Sequence, residues 1–113
     1  MLSEAQVRAL ALALPEAVEA DHHGFPSFRV KGKIFATVRS APARLMVKLD
    51  PEDQANLCDA HQDVIVPVPG YWGRKGSTYV AYDRIDEDLA KMLLHLAWSG
   101  VAPKALRAAY SAA

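Results

Sequence analysis

Pro69-Gly70-Tyr71-Trp72-Gly73-Arg74-Lys75-Gly76-Ser77 places three glycines, two adjacent aromatics and two adjacent cations within nine residues. Glycine admits backbone conformations in which successive N–H groups converge on an anion. Arg74 and Lys75 would add positive charge there, and Tyr71 and Trp72 offer flat faces on which a base or ring can stack. The chemistry implied is binding of an anionic group. It is not that of a nucleotide-cleaving phosphate loop, which needs Lys-Ser/Thr directly after its last glycine and a helix behind it. Here Ser77 follows Gly76 and a strand-like run comes next. The plainer alternative is a wide β-hairpin turn whose tryptophan plugs the end of the core.

A second cluster of cations lies upstream. Six of them (Arg29, Lys31, Lys33, Arg39, Arg44, Lys48) fall between Phe25 and Leu49 with no acid among them. Five acids and no lysine or arginine then occupy Asp50 to Asp63. Arg29 and Lys31 fall on one face of an alternating strand, and Arg44 and Lys48 on one face of another, so two strands can present four cations. Together with the loop they define a candidate nucleic-acid contact set: Arg74, Lys75, Trp72, Tyr71, Arg29, Lys31, Lys33 and Lys48. Each phosphate neutralised by such a cation releases condensed counterions. The alternative is solvated strand edges whose lysines discourage sheet-to-sheet association.

Other chemistries find less support. Cys58 and His61 have half of a zinc-site spacing, but completing it needs His22 or His23 and no second pair stands in sequence. Ser40, Ser77 and Ser99 lie outside any Gly-x-Ser-x-Gly elbow. His95 falls mid-helix near Trp98 and Ser99. The carboxylates gather at helix starts, where capping accounts for them. No metal, no cofactor and no catalytic group are expected, and the protein is expected not to be an enzyme.

The elements that would position these residues follow from pattern. Ser3 and Gln6 form a capping box for a helix that Pro15 ends. The polar stretch Glu16 to Gly24 is ambiguous, with an extended conformation as one option. A stretch from Phe25 or Ser27 to Lys31, then Lys33–Arg39 and Arg44–Leu49, alternate as strands, with Gly32 turning between the first two. Asp50-Pro51-Glu52-Asp53 starts a helix ending near His61. Val64–Val68 and Thr78–Tyr82 are strands on either side of the glycine-rich loop. Asp86 starts a helix with Leu89, Met92, Leu93, Leu96 and Ala97 as its buried stripe and Gly100 at its end; Pro103 opens a last helix. The order α-β-β-β-α-β-β-α predicts a two-layer α+β fold, an antiparallel sheet of about five strands with helices mainly on one face. The opposite face, with Arg and Lys beside Met46 and aromatics, is left partly open.

With 113 residues, the chain is expected to form one domain, residues 1–113. Thirteen basic residues balance thirteen acidic ones, which argues against strong nonspecific attraction to nucleic acid. A single cysteine excludes an intramolecular disulfide and fits a reducing cytosol. The apolar run after Arg8 is too short for a secretory signal, and nothing approaches the ~18 to 20 apolar residues of a membrane span. A cytoplasmic monomer with no membrane association is expected.

The chain resembles the MmcQ/YjbR-like family of small bacterial proteins. The resemblance is carried by Leu14-Pro15-Glu16, His23-Gly24-Phe25-Pro26, Phe28-Arg29-Val30, Gly32-Lys33-Ile34-Phe35-Ala36, Leu49 with Asp50-Pro51-Glu52, and Pro69-Gly70-Tyr71 through Lys75 into Val80. It implies a secretion-chaperone-like α+β fold and a DNA-binding role through a double-wing arrangement of β-hairpins. Where that family places a tryptophan after the lysine-bearing loop, this chain has Ser77, leaving Tyr71 and Trp72 to substitute. The leading expectation is a non-enzymatic DNA-binding protein whose binding is weak and salt-dependent. The alternatives are a protein-interaction or chaperone-like module and a small anionic ligand-binding domain.

Overall fold

The computed structural model describes residues 2–112. Six strands, β1 (Val18–His22), β2 (Phe25–Val30), β3 (Lys33–Ser40), β4 (Ala43–Lys48), β5 (Ile65–Pro67) and β6 (Ser77–Val80), form one antiparallel sheet ordered β1-β2-β3-β4-β6-β5. The sequence pattern accounts for five of them. The sixth, β1, hides because it is an edge strand: both its faces stay largely exposed, so no alternation marks it. It returns into β2 through His23-Gly24, and β2 returns into β3 through Lys31-Gly32. Both loops are two residues long with positive φ at each position (53° and 91°; 52° and 81°), as a type I′ turn requires.

That geometry corrects the expectation for Lys31. It is a turn residue, so it does not share a strand face with Arg29, and its ammonium lies 2.7 Å from the Glu16 carboxylate. A bulge where Phe28 and Arg29 face Ala36 and Ile34 inserts Phe35 as an extra residue, and Phe35 and Ala36 are consecutively buried. Such a bulge bends the strand that carries it.

Five helices complete the chain: α1 (Glu4–Leu12), α2 (Pro51–Ala60), α3 (Tyr71–Arg74), α4 (Glu87–Val101) and α5 (Lys104–Ala112). The capping box of α1 is formed: Gln6 N donates to Ser3 Oγ at 3.2 Å and Ser3 N to Gln6 Oε1 at 2.8 Å. Asp50 caps α2 with Pro51 in its first turn, and Asp86 caps α4. The buried face of α4 is Ala90, Leu93, Leu94, Ala97 and Trp98, with Met92 left exposed. The expected stripe is therefore rotated by about one position. Burying Trp98, whose ring is fully enclosed and whose indole N–H donates to Pro15 O at 2.9 Å, outweighs burying Met92. Gly100 does not end α4. The stop is Pro103, which holds the preceding Ala102 in an extended conformation (ψ 141°).

α1 and α4 pack on the sheet face that carries Phe28, Val30, Ala36, Val38, Leu45, Val47, Ile65 and Val80. The Leu45, Val47, Leu49 alternation expected from the sequence is buried as written. Tyr82 closes one end of this core and donates its hydroxyl to Arg39 O at 2.8 Å. Burial raises its phenol above the ordinary tyrosine range, with Glu4 and Asp83 adding to the shift. Among the described residues, no helix is long and apolar enough to cross a membrane.

Candidate nucleic-acid interface

Alternation sends every second strand residue to the face opposite α1 and α4. Across the sheet those residues include Ser27, Thr37, Met46 and Tyr79 in one register row, with Arg39 opposite Arg44, Arg29 opposite Ile34 and Lys48 opposite Ser77 in others. Of these, Ile34, Thr37, Arg39, Met46, Lys48, Ser77 and Tyr79 line a groove of about 400 Å³, while Ser27, Arg29 and Arg44 lie outside its lining. Its apolar lining is Phe25, Ile34, Met46, Val68, Trp72 and Tyr79; its polar lining is His22, Thr37, Arg39, Lys48 and Ser77. No carboxylate lines it.

Arg39 and Arg44 are direct cross-strand partners, and like charges so placed repel. Each is instead laid on an aromatic ring. The Arg39 guanidinium carbon is 4.0 Å from the Phe25 centroid and the Arg44 carbon 4.0 Å from the Tyr79 centroid. Contacts of this kind return ~0.5–1 kcal/mol at exposed sites. Holding Arg44 flat also leaves its Nε buried without a hydrogen-bond partner. Among the described residues, neither arginine nor Lys48 forms an ion pair. The face is thus a cationic surface that the protein does not neutralise itself.

The glycine-rich stretch forms one wall. It is not a flexible hairpin tip: Tyr71–Arg74 close a turn of helix, and the amides of Arg74, Lys75 and Gly76 bond back to Gly70, Tyr71, Trp72 and Gly73 carbonyls. Those three amides are therefore not free to converge on an anion, which corrects the expectation of a backbone nest at the loop's end. Two glycines are fixed by crowding. A Cβ on Gly73 would lie 1.7 Å from Val68 O, and one on Gly76 would lie 1.9 Å from Leu49 O. The buried Gln54 of α2 clamps the turn from behind, its Nε2 lying 2.9 Å from Gly73 O, 3.2 Å from Ser77 O and 3.1 Å from Thr78 Oγ1. Gln54→Leu strips these acceptors of their donor inside the fold. We expect a loss of ~1–3 kcal/mol in chemical unfolding, with the sheet otherwise intact.

Clamped this way, α3 holds Trp72 63% exposed at the groove rim, edge-on to Tyr71 at 5.2 Å between centroids. Trp72 therefore does not plug the core; Trp98 does. Lys75 Nζ sits 5.5 Å from the Tyr71 ring centre. Of the residues singled out from the sequence, Trp72 and Lys48 line the groove, and Tyr71, Arg74 and Lys75 flank it on α3 and its C-cap. Arg29 shares the open face, but its guanidinium is engaged with Ser27 Oγ (3.1 Å) and Asp21 O (3.3 Å). Lys31 is paired with Glu16, and Lys33, the register partner of core Val30, falls on the other side of the alternation. Arg39, Arg44, Phe25 and Tyr79 were absent from that set. The parity of β3 was the available signal, since Arg39 alternates with Thr37 and faces the same way.

Among the described residues, no group of three His, Cys, Asp or Glu side chains is placed to hold a metal ion. The Cys58 thiol is pushed up by burial, away from thiolate.

An antiparallel sheet with helices over one face and a cationic, aromatic groove on the other defines a small α+β protein with one sheet face left uncovered by α1 and α4. The chain belongs to the YjbR family, whose model matches residues 12–99. In fold it is similar to the crystal structure of Deinococcus radiodurans protein DR2400, a protein with a DUF419 domain. The TM-score is 0.77 at 24% identity, covering 98% of this chain and 89% of that one. No curated protein sequence matches.

Proposed function

We propose that the protein binds nucleic acid, DNA in the first instance, through the open sheet face. Arg39, Lys48, Arg74 and Lys75 contact phosphates, and Trp72 offers a stacking surface. The observation that carries this reading is the groove lining: cations without carboxylates, set among aromatic rings. Neutral net charge confines the attraction to this face, so binding is weak beside that of strongly basic proteins. The acids of Asp50 to Asp63 lie outside the groove lining. No residue is assigned a catalytic role.

The test is fluorescence anisotropy with a labelled oligonucleotide across a salt series. With ~3 to 4 phosphates engaged, log affinity falls with log salt at a slope of roughly −3 on duplex DNA. Undetectable binding at low salt, or affinity indifferent to salt, contradicts the proposal.

A further inference from the structure

We infer that the groove takes unpaired bases, so that the preferred nucleic acid is single-stranded. This rests on the nucleic-acid reading above and specifies its substrate class. The groove sets Phe25, Trp72 and Tyr79 beside apolar Ile34, Met46 and Val68, with Arg39 and Lys48 among them. A duplex has little to place in such a recess. Its base faces are stacked on one another, and it presents phosphates and base edges from a convex surface. A single strand presents phosphates and free base faces together, and splayed bases stack on aromatic rings and on guanidinium planes.

Two such planes are prepared in the groove, Trp72 and Arg39. The Trp72 ring is 63% exposed on a helical turn that Gln54 and two crowded glycines hold in place. The Arg39 guanidinium, exposed in the groove, is laid over Phe25 at 4.0 Å; Arg44, beside the groove, lies over Tyr79 at the same distance and holds that ring in place. From β1 to β6 the sheet crosses four strand spacings, roughly 19 Å, room for a short run of unstacked nucleotides. Charge complementarity selects the occupant: with no carboxylate in the lining and no ion pair on Arg39, Arg44 or Lys48, the groove favours a polyanion that carries flat apolar groups.

Anisotropy at one low salt concentration would compare a labelled oligothymidylate with a duplex of equal length, for the full chain, Trp72→Ala and Trp72→Phe. Thymidine monophosphate serves as competitor. The single strand is expected to bind about tenfold or more tightly than the duplex. Trp72→Ala should cost ~5- to 100-fold on the single strand and little on the duplex, and Trp72→Phe should restore most of the loss. Duplex binding as tight as single-strand binding, or unaffected single-strand binding by Trp72→Ala, overturns the inference while leaving nucleic-acid binding standing. Competition by the mononucleotide at concentrations matching the oligonucleotide's own affinity overturns it in favour of a free-nucleotide site. Absence of binding to either polymer removes both readings.

Discussion

Gly76→Ala is expected to destabilise the protein by more than ~3 kcal/mol, enough to leave a domain of this size marginal. Two independent costs meet at this position. The backbone sits at φ +110°, where an L side chain is strained, and the added Cβ would lie 1.9 Å from Leu49 O. That carbonyl belongs to backbone at the start of α2, so it cannot swing away as a side-chain tip would. The Leu49 amide also bonds to Gly76 O at 2.9 Å, tying the two segments together. Moving them apart would break that bond and loosen the Gln54 clamp. Gly100→Ala is the control: it lies within α4 with nothing near its would-be Cβ, and should be stabilising by ~0.5–1 kcal/mol. Urea unfolding of the two variants beside the parent protein checks the pair.

The second large effect concerns binding alone. Arg39→Glu combined with Lys48→Glu is expected to lower oligonucleotide affinity by ~100-fold at low salt and to reduce the salt slope by about two phosphate contacts. Stability should not follow. Arg39→Glu replaces a like-charge cross-strand pair with an opposite-charge one, worth ~0.2–1 kcal/mol, against the lost contact with Phe25. Arg74→Glu with Lys75→Glu should weaken binding less, because these residues flank the groove while Arg39 and Lys48 line it. Parallel measurement of anisotropy and unfolding midpoints for both double variants separates the two effects. Equal losses from both would make the loop as much a part of the interface as the groove; losses tracking stability would mean that neither pair contacts the ligand.

Much of this architecture is legible in the residues. Caps at Ser3, Asp50 and Asp86, the β4 alternation and the short connections are local signals, and the structure contains each of them. What escaped depends on partners distant in sequence. β1 exists because β2 is beside it, and its own residues carry no burial pattern. The α4 stripe turned to bury Trp98 against Pro15 O, eighty-three positions away. The glycine-rich stretch coiled into α3 because Gln54 and the Val68 and Leu49 carbonyls close around it.

The site divides the same way. Trp72 and Lys48 can be picked from type and strand parity. Lys31 has the strand parity of Arg29 in the sequence, but the type I′ turn takes it out of the strand and pairs it with Glu16. Arg39 joins the groove through a register that sets it opposite Arg44 and over Phe25, while Arg44 lies beside the groove over Tyr79.

The most direct test of the open face as the binding surface is an amide and indole chemical-shift titration with a short oligonucleotide. Shifts should concentrate at Thr37, Arg39, Met46, Lys48, Tyr79 and the Trp72 indole, leaving α1 and α4 unchanged. Shifts confined to the helical face, or none at all at saturating oligonucleotide, would contradict the account.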